Sequence, residues 1–199
     1  MHSSTAERGV RNHREEIVDN STPLQRAKHP RTVLAGPYGH PFHPILVTIP
    51  IGTWIASLVF DIFGLATDDP SPFTLGAQVL IAIGIVGALL AAVFGFVDLS
   101  IIGRGTPAQR TALIHMSLNL AAVALFAVNW FVRATSDHDE VSLIGLVLTI
   151  IGLAAIAVSG WLGGKLAYRY GVRVADENTQ AEGFPLTSAA QHQQRGRRT

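Results

Sequence analysis

Four long apolar runs dominate the chain: Ile45 to Ala66, Leu75 to Val97, Ala112 to Val132 and Val141 to Leu166. Each is long enough, as a helix rising 1.5 Å per residue, to cross a hydrocarbon core of ~30 Å. The polar positions that stand out inside them are Asp61, His115, Asn119, Asn129 and Lys165, with Asp98 at an edge. Ionisable and amide groups are costly in lipid, so each points to a site or to a specific partner.

The breaks between the runs are short and chemically clear. TDDPSP at 67–72 is a proline-rich turn. GRGTPAQR at 103–110 ends one run and opens the next, with Thr106 as a cap, Pro107 in the first turn and Gln109 completing a capping-box pattern. RATSDHDE at 133–140 joins the last two. Short loops make consecutive spans antiparallel neighbours. The expected fold is an all-α integral membrane four-helix bundle, up-down-up-down, with spans at about 45–66, 75–98, 107–132 and 141–168. That domain occupies 37–170. Residues 1–36 and 171–199 read as flexible polar tails. Ala91/Gly95 and Gly160/Gly164 have the small-xxx-small spacing of close helix contacts; whether the chain forms a homo-oligomer stays open.

Charge sets the orientation. Of 15 Lys and Arg residues, only Arg133 falls at the end away from the tails, and the two loops at that end are acidic. The positive-inside rule therefore places both termini in the cytoplasm and the protein, multi-pass, in a plasma (inner) membrane. The net charge of +1 adds nothing to this. The first 36 residues contain no apolar segment, so no cleavable signal peptide is expected and the first span directs insertion.

The chain has no cysteine. Disulfides, thiolate zinc sites, Cys-ligated iron–sulfur clusters and c-type haem attachment are excluded within it. Metal or haem held by histidine is not. The scattered basic residues lack aromatic interleaving, so nucleic acid is not an expected partner; the lipid bilayer is.

Tracing depth along the four spans brings His40, His43, Asp98, His115, Asn119 and Lys165 to one membrane level. Arg110, five residues before His115, or Lys165 is positioned to pair with Asp98. His40 and His43 both precede proline, which disfavours helix at each; on an extended path their α-carbons lie about 9 Å apart on one side. Near the opposite boundary, Asp61 is expected to meet Arg133, with Asn129 joining.

The residues GHPFHPILVTIPIGTWIASLVFDIFG, GFVDLS and RTALIHMSLNL resemble the bacterial membrane family called domain of unknown function 2231. The resemblance covers roughly Gly36 to Arg169, through His40, Pro41, His43, Pro44, Asp61, Gly95, Asp98, His115 and Asn119. It implies a four-span domain opening on His-Pro-x-His-Pro. Some relatives join it to a Rieske-type iron–sulfur domain, which implies electron transfer and a Rieske-type or other redox protein as partner. It brings no enzymatic activity with it.

Three readings follow. A redox subunit would hold b-type haem between His115 and His40 or His43. A metal site would use His40, His43, Asp98 and His115 on a divalent transition metal. A structural module, or one passing protons or a small solute, would use the same cluster, with Asn119, Arg110, Lys165, Asp61 and Arg133, only to hold helices or line a route.

Overall fold

The computed structural model describes residues 22–183. Its helices are α1 (Pro23–Lys28), α2 (His43–Leu46), α3 (Thr48–Leu65), α4 (Ser71–Leu99), α5 (Pro107–Ala134), α6 (Leu143–Gly164) and α7 (Glu177–Ala181). A 3-10 turn covers Val33–Ala35, and a π-turn, Lys165–Arg169, continues α6. No strand occurs among the described residues. Four segments are long and apolar enough to cross a membrane: His43–Leu65, Ser71–Leu99, Pro107–Ala134 and Leu143–Arg169.

Local chemistry explains the boundaries. Pro44 sits in the first turn of α2, where its missing N–H costs nothing. Pro50 has no N–H to return to Leu46, and the first span breaks at Val47 between α2 and α3. Thr106 Oγ1 accepts the Gln109 amide at 3.1 Å and caps α5. The expected capping box is not closed there. The Gln109 side chain accepts from Gly105 N at 2.7 Å, one residue before the cap. A complete box appears instead at Thr22 and Gln25, opening α1.

Side-chain contacts set the register. Trp54 on α3 meets Ile81 and Gly84 of α4, and Gly64 lies against Phe73 and Pro70. On α5 and α6, His115, Phe126 and Arg133 meet Ser159, Gly152 and Gly145 in turn. Each hairpin is therefore antiparallel. The two hairpins close on a core of Trp54, Ile81 and Phe126, all fully buried. The Trp54 and Phe126 rings stack at 3.9 Å. That close approach needs bare backbone opposite each ring: a Cβ at Gly84 would strike the indole, and one at Gly152 would strike the phenyl. Trp130 packs against this core.

A second core closes the end where the terminal segments meet. Ile102, Ala112 and Leu166 are buried there, with Leu99, Tyr170 and Val172 packed on them. Folded turns extend beyond 37–170 on both sides. Ala27 and Ala35 are buried, and Arg173 N–H donates to Ala27 O at 2.9 Å. The tail readings for 1–21 and 184–199 lie outside the described residues.

Candidate functional site

The loop end of the bundle carries a sealed polar network. Arg133 forms a bidentate pair with Asp61, donating from Nη1 at 2.7 Å and Nη2 at 2.6 Å. Its Nε donates to Asn129 Oδ1 at 2.9 Å, Asn129 Nδ2 donates to Thr149 Oγ1 at 2.8 Å, and Thr149 donates to Gly145 O. Asp61, Asn129 and Thr149 have no exposure and Arg133 only 3%. Gly145 is bare where the guanidinium lies against it. Beside this network, His138 Nε2 lies 2.6 Å from Gln78 Oε1, and Thr74 Oγ1 donates to His138 O. Gln78 is a third amide inside an apolar run, beside Asn119 and Asn129, and the same signal in the sequence would have marked it.

The opposite end holds the histidines. His43 opens α2, and its Nδ1 lies 2.9 Å from Ala91 O on α4. His115 on α5 places its Nδ1 2.8 Å from Ser159 O on α6, with Ser159 Oγ 2.9 Å away. A carbonyl can only accept, so each Nδ1 carries the proton and each Nε2 keeps its lone pair. Asn119 Nδ2, one turn along α5, reaches both His115 O at 2.9 Å and His115 Nε2 at 3.1 Å. The two imidazoles are half-buried, with centroids 6.2 Å apart and planes at 85°. Gly95 faces the His43 ring and Gly163 the His115 ring; a Cβ at either would press on Cε1. The Ala91/Gly95 pair thus serves close contact with α2, through the His43 ring.

Other members of the expected cluster lie elsewhere. His40 is exposed, and its Nδ1 lies 3.4 Å from Tyr38 O, so it does not share a side with His43. Its Gly39–His40 turn points it to the surface, whereas His43 is drawn in by Ala91. Asp98 is buried but pairs with Arg173, at 2.9 Å between Oδ1 and Nε. Neither Arg110, which is exposed, nor Lys165 takes that role. Lys165 instead lies over the rings of Trp161 and Tyr170, 5.9 and 5.5 Å from their centroids. Among the described residues no three of His, Asp and Glu form a group able to hold a metal ion.

Arg173 is the residue the sequence hid. It follows the π-turn, is 5% exposed and donates from Nη2 to Ala35 O at 2.9 Å and Gly36 O at 3.1 Å. Tyr38 and Asp176 close the same end: the Tyr38 hydroxyl donates to Asp176 Oδ2 at 3.0 Å and accepts from Asp176 N at 2.7 Å. The backbone N–H of Thr179, then Tyr38, hold the Asp176 carboxyl below the usual carboxylate range.

Between the two ends, Trp54, Ile81 and Phe126 fill the axis of the bundle. They separate the Asp61 network from the imidazoles, and the sparse hydroxyls do not bridge them: Ser57 turns back on Trp54 O and Thr53 on Ile49 O.

A family model described as "Predicted membrane protein (DUF2231)" matches residues 39–176. No curated protein and no solved structure matches the chain.

Proposed function

The chain belongs to this family of predicted membrane proteins, and from that premise we propose that it is a redox subunit whose His43–His115 pair binds b-type haem. It would sit as an up-down-up-down bundle in a bacterial plasma membrane with both termini in the cytoplasm. The charge distribution supports that orientation: Arg133, the one basic residue at the loop end, is buried against Asp61.

The observation that carries the reading is the geometry of the two rings. They lie 72 residues apart in sequence, and each is oriented through its Nδ1 by a carbonyl from another helix. This is how ligating imidazoles are held, with Nε2 presented to the metal. The ring centroids lie 6.2 Å apart with planes at 85°, close enough for one group to engage both. Two protein ligands suffice for haem iron, whereas catalytic zinc uses three. The lack of a third ligand among the described residues therefore favours haem over a metal-dependent hydrolytic site.

Bound haem supplies one-electron chemistry. The chain's part is to position and to exclude water. Ser159 and Ala91 fix the ring planes, and Gly163 and Gly95 let the rings lie close to the backbone. Asn119 donates to the His115 lone pair and would have to release it for that ring to hold a group. A separate redox protein, of Rieske or another type, would exchange electrons at the same end.

The test is a reduced-minus-oxidised visible spectrum of detergent-purified protein expressed with ample haem. A Soret band with α and β bands is expected in the wild type. His43→Ala and His115→Ala should each abolish it while circular dichroism stays helical. A colourless wild type overturns the reading. The second reading is structural, favoured by the Asn119–His115 contact: the imidazoles already have partners within the chain and tie four helices together. It predicts no cofactor and a stability loss in both alanine variants.

A further inference from the structure

We infer that residues 22–36, ahead of the first span, form a bilayer-interface anchor: Val33 and Leu34 dip into the lipid at the terminal end of the bundle, and the basic residues beside them face anionic headgroups. The inference needs no cofactor and stands apart from the haem reading. Val33 is 83% exposed and Leu34 80%, more than any aliphatic residue of the four spans, yet neither belongs to a span. A lone exposed aliphatic is ordinary. An adjacent pair on a fastened turn makes a protruding apolar patch, and such patches meet a partner or a membrane. The turn is fastened on its inner side. Ala35, the next residue, is 1% exposed, and the 3-10 turn lies against α4. Arg173 ties the segment down at three carbonyls, donating from its backbone N–H to Ala27 O and from Nη2 to Ala35 O and Gly36 O.

The depth of the turn points to lipid as the occupant. The same Arg173 reaches Asp98, on the last turn of α4, at 2.9 Å. α4 has 29 residues, and about 20 cross the hydrocarbon. Its last turn therefore lies at the headgroup boundary when the span is centred, with the 3-10 turn at the same level. Phe42 continues the apolar surface: its N–H donates to Ala35 O, and its ring meets Phe94 of α4 edge-on with 6.0 Å between centroids. Ile45, in the first turn of the first span, is exposed as well. Charge agrees with this placement. Between 22 and 42 the chain has Arg26, Lys28 and Arg31 and no acidic residue. Asp176, which touches this segment, spends its carboxylate on the Tyr38 hydroxyl and the Thr179 N–H. An apolar tip flanked by positive charge is the pattern that binds anionic bilayers.

Because the chain has no cysteine, one introduced thiol takes a label at one place. Full-length Leu34→Cys protein is labelled with a fluorophore and reconstituted into vesicles of phosphatidylcholine, with or without phosphatidylglycerol. Val93→Cys, exposed on the α4 span, gives the lipid reference, and Arg104→Cys, exposed in the 103–106 loop, the water reference. The label at position 34 should be quenched by a nitroxide carried on the lipid chain near the headgroup. It should be protected from aqueous iodide roughly tenfold relative to position 104, the preference of one aliphatic side chain for lipid. Phosphatidylglycerol should strengthen that protection, and Lys28→Gln/Arg31→Gln should remove the difference between the two lipids while circular dichroism stays helical. A label at position 34 as open to iodide as that at 104 overturns the inference. One shielded from iodide and from the lipid nitroxide alike means that protein covers the turn, a second copy or residues outside 22–183, and overturns it too. Protection that ignores phosphatidylglycerol overturns the role given to the basic residues. Should Leu34→Cys not fold, Val33→Cys scored in the same way decides.

Discussion

The two ends of the bundle hold similar polar inventories and treat them differently. At the loop end each nitrogen and hydroxyl of the Asp61–Arg133–Asn129–Thr149 chain donates to an acceptor, and all four residues are shut from solvent. At the terminal end His43 has no partner for Nε2 among the described residues, and Arg173 has none for Nη1. A network in which each buried polar atom has a partner holds helices together. One with aimed but unfilled valences has a place for something else. The contrast separates an end whose polar atoms are matched within the chain from the end where the proposed function places its group.

Removing one partner at the sealed end tests this hardest. Asp61→Ala leaves the Arg133 guanidinium buried and uncompensated, and should cost about 3–5 kcal/mol in detergent unfolding. The double variant Asp61→Leu/Arg133→Met should recover most of that loss, because the charge goes with its partner. Neither should move the spectrum of bound haem. A spectral shift would break the division between the ends.

The apolar middle is the next largest effect. Gly84→Ala forces the Trp54 indole to move and should cost about 1–3 kcal/mol by overpacking. Gly160→Ala has open space and should be neutral or slightly stabilising, by up to about 1 kcal/mol from helix propensity. Equal melting temperatures for the two variants would mean that the Trp54–Phe126 seam is not what insulates one end from the other.

The smallest stability effect is the most diagnostic. Asn119→Ala should lose only about 0.5–1.5 kcal/mol. By uncovering His115 Nε2 it should tighten haem binding rather than weaken it. Weaker haem binding would show that Asn119 is part of the binding site and not a cover.

Much of this architecture was readable because lipid-length runs tolerate few polar residues. Asp61 and Arg133 each stand out in an apolar context, and only one basic residue exists at that end to answer the acid. His115 and Asn119 are legible for the same reason, four residues apart on one helix face. The choice between His40 and His43 was not legible. The two share one motif, and only the fold shows that Ala91 draws in the second while the first stays at the surface. Arg173 was hidden more deeply, in a segment that reads as polar tail. The partner of Asp98 therefore appeared to be Arg110 or Lys165, which lie closer to the spans in sequence.

The chain by itself determined four membrane-length helices, the short turns between them and the end at which basic residues gather. Those follow from hydrophobic length, proline and glycine placement and charge, all of which act locally. Tertiary structure alone decided which imidazole faces which, that Asp98 answers to Arg173, and that an aromatic stack divides the two polar networks. Those depend on helix rotation, and rotation is set by where bare glycine backbone lets a large ring from a distant helix come close.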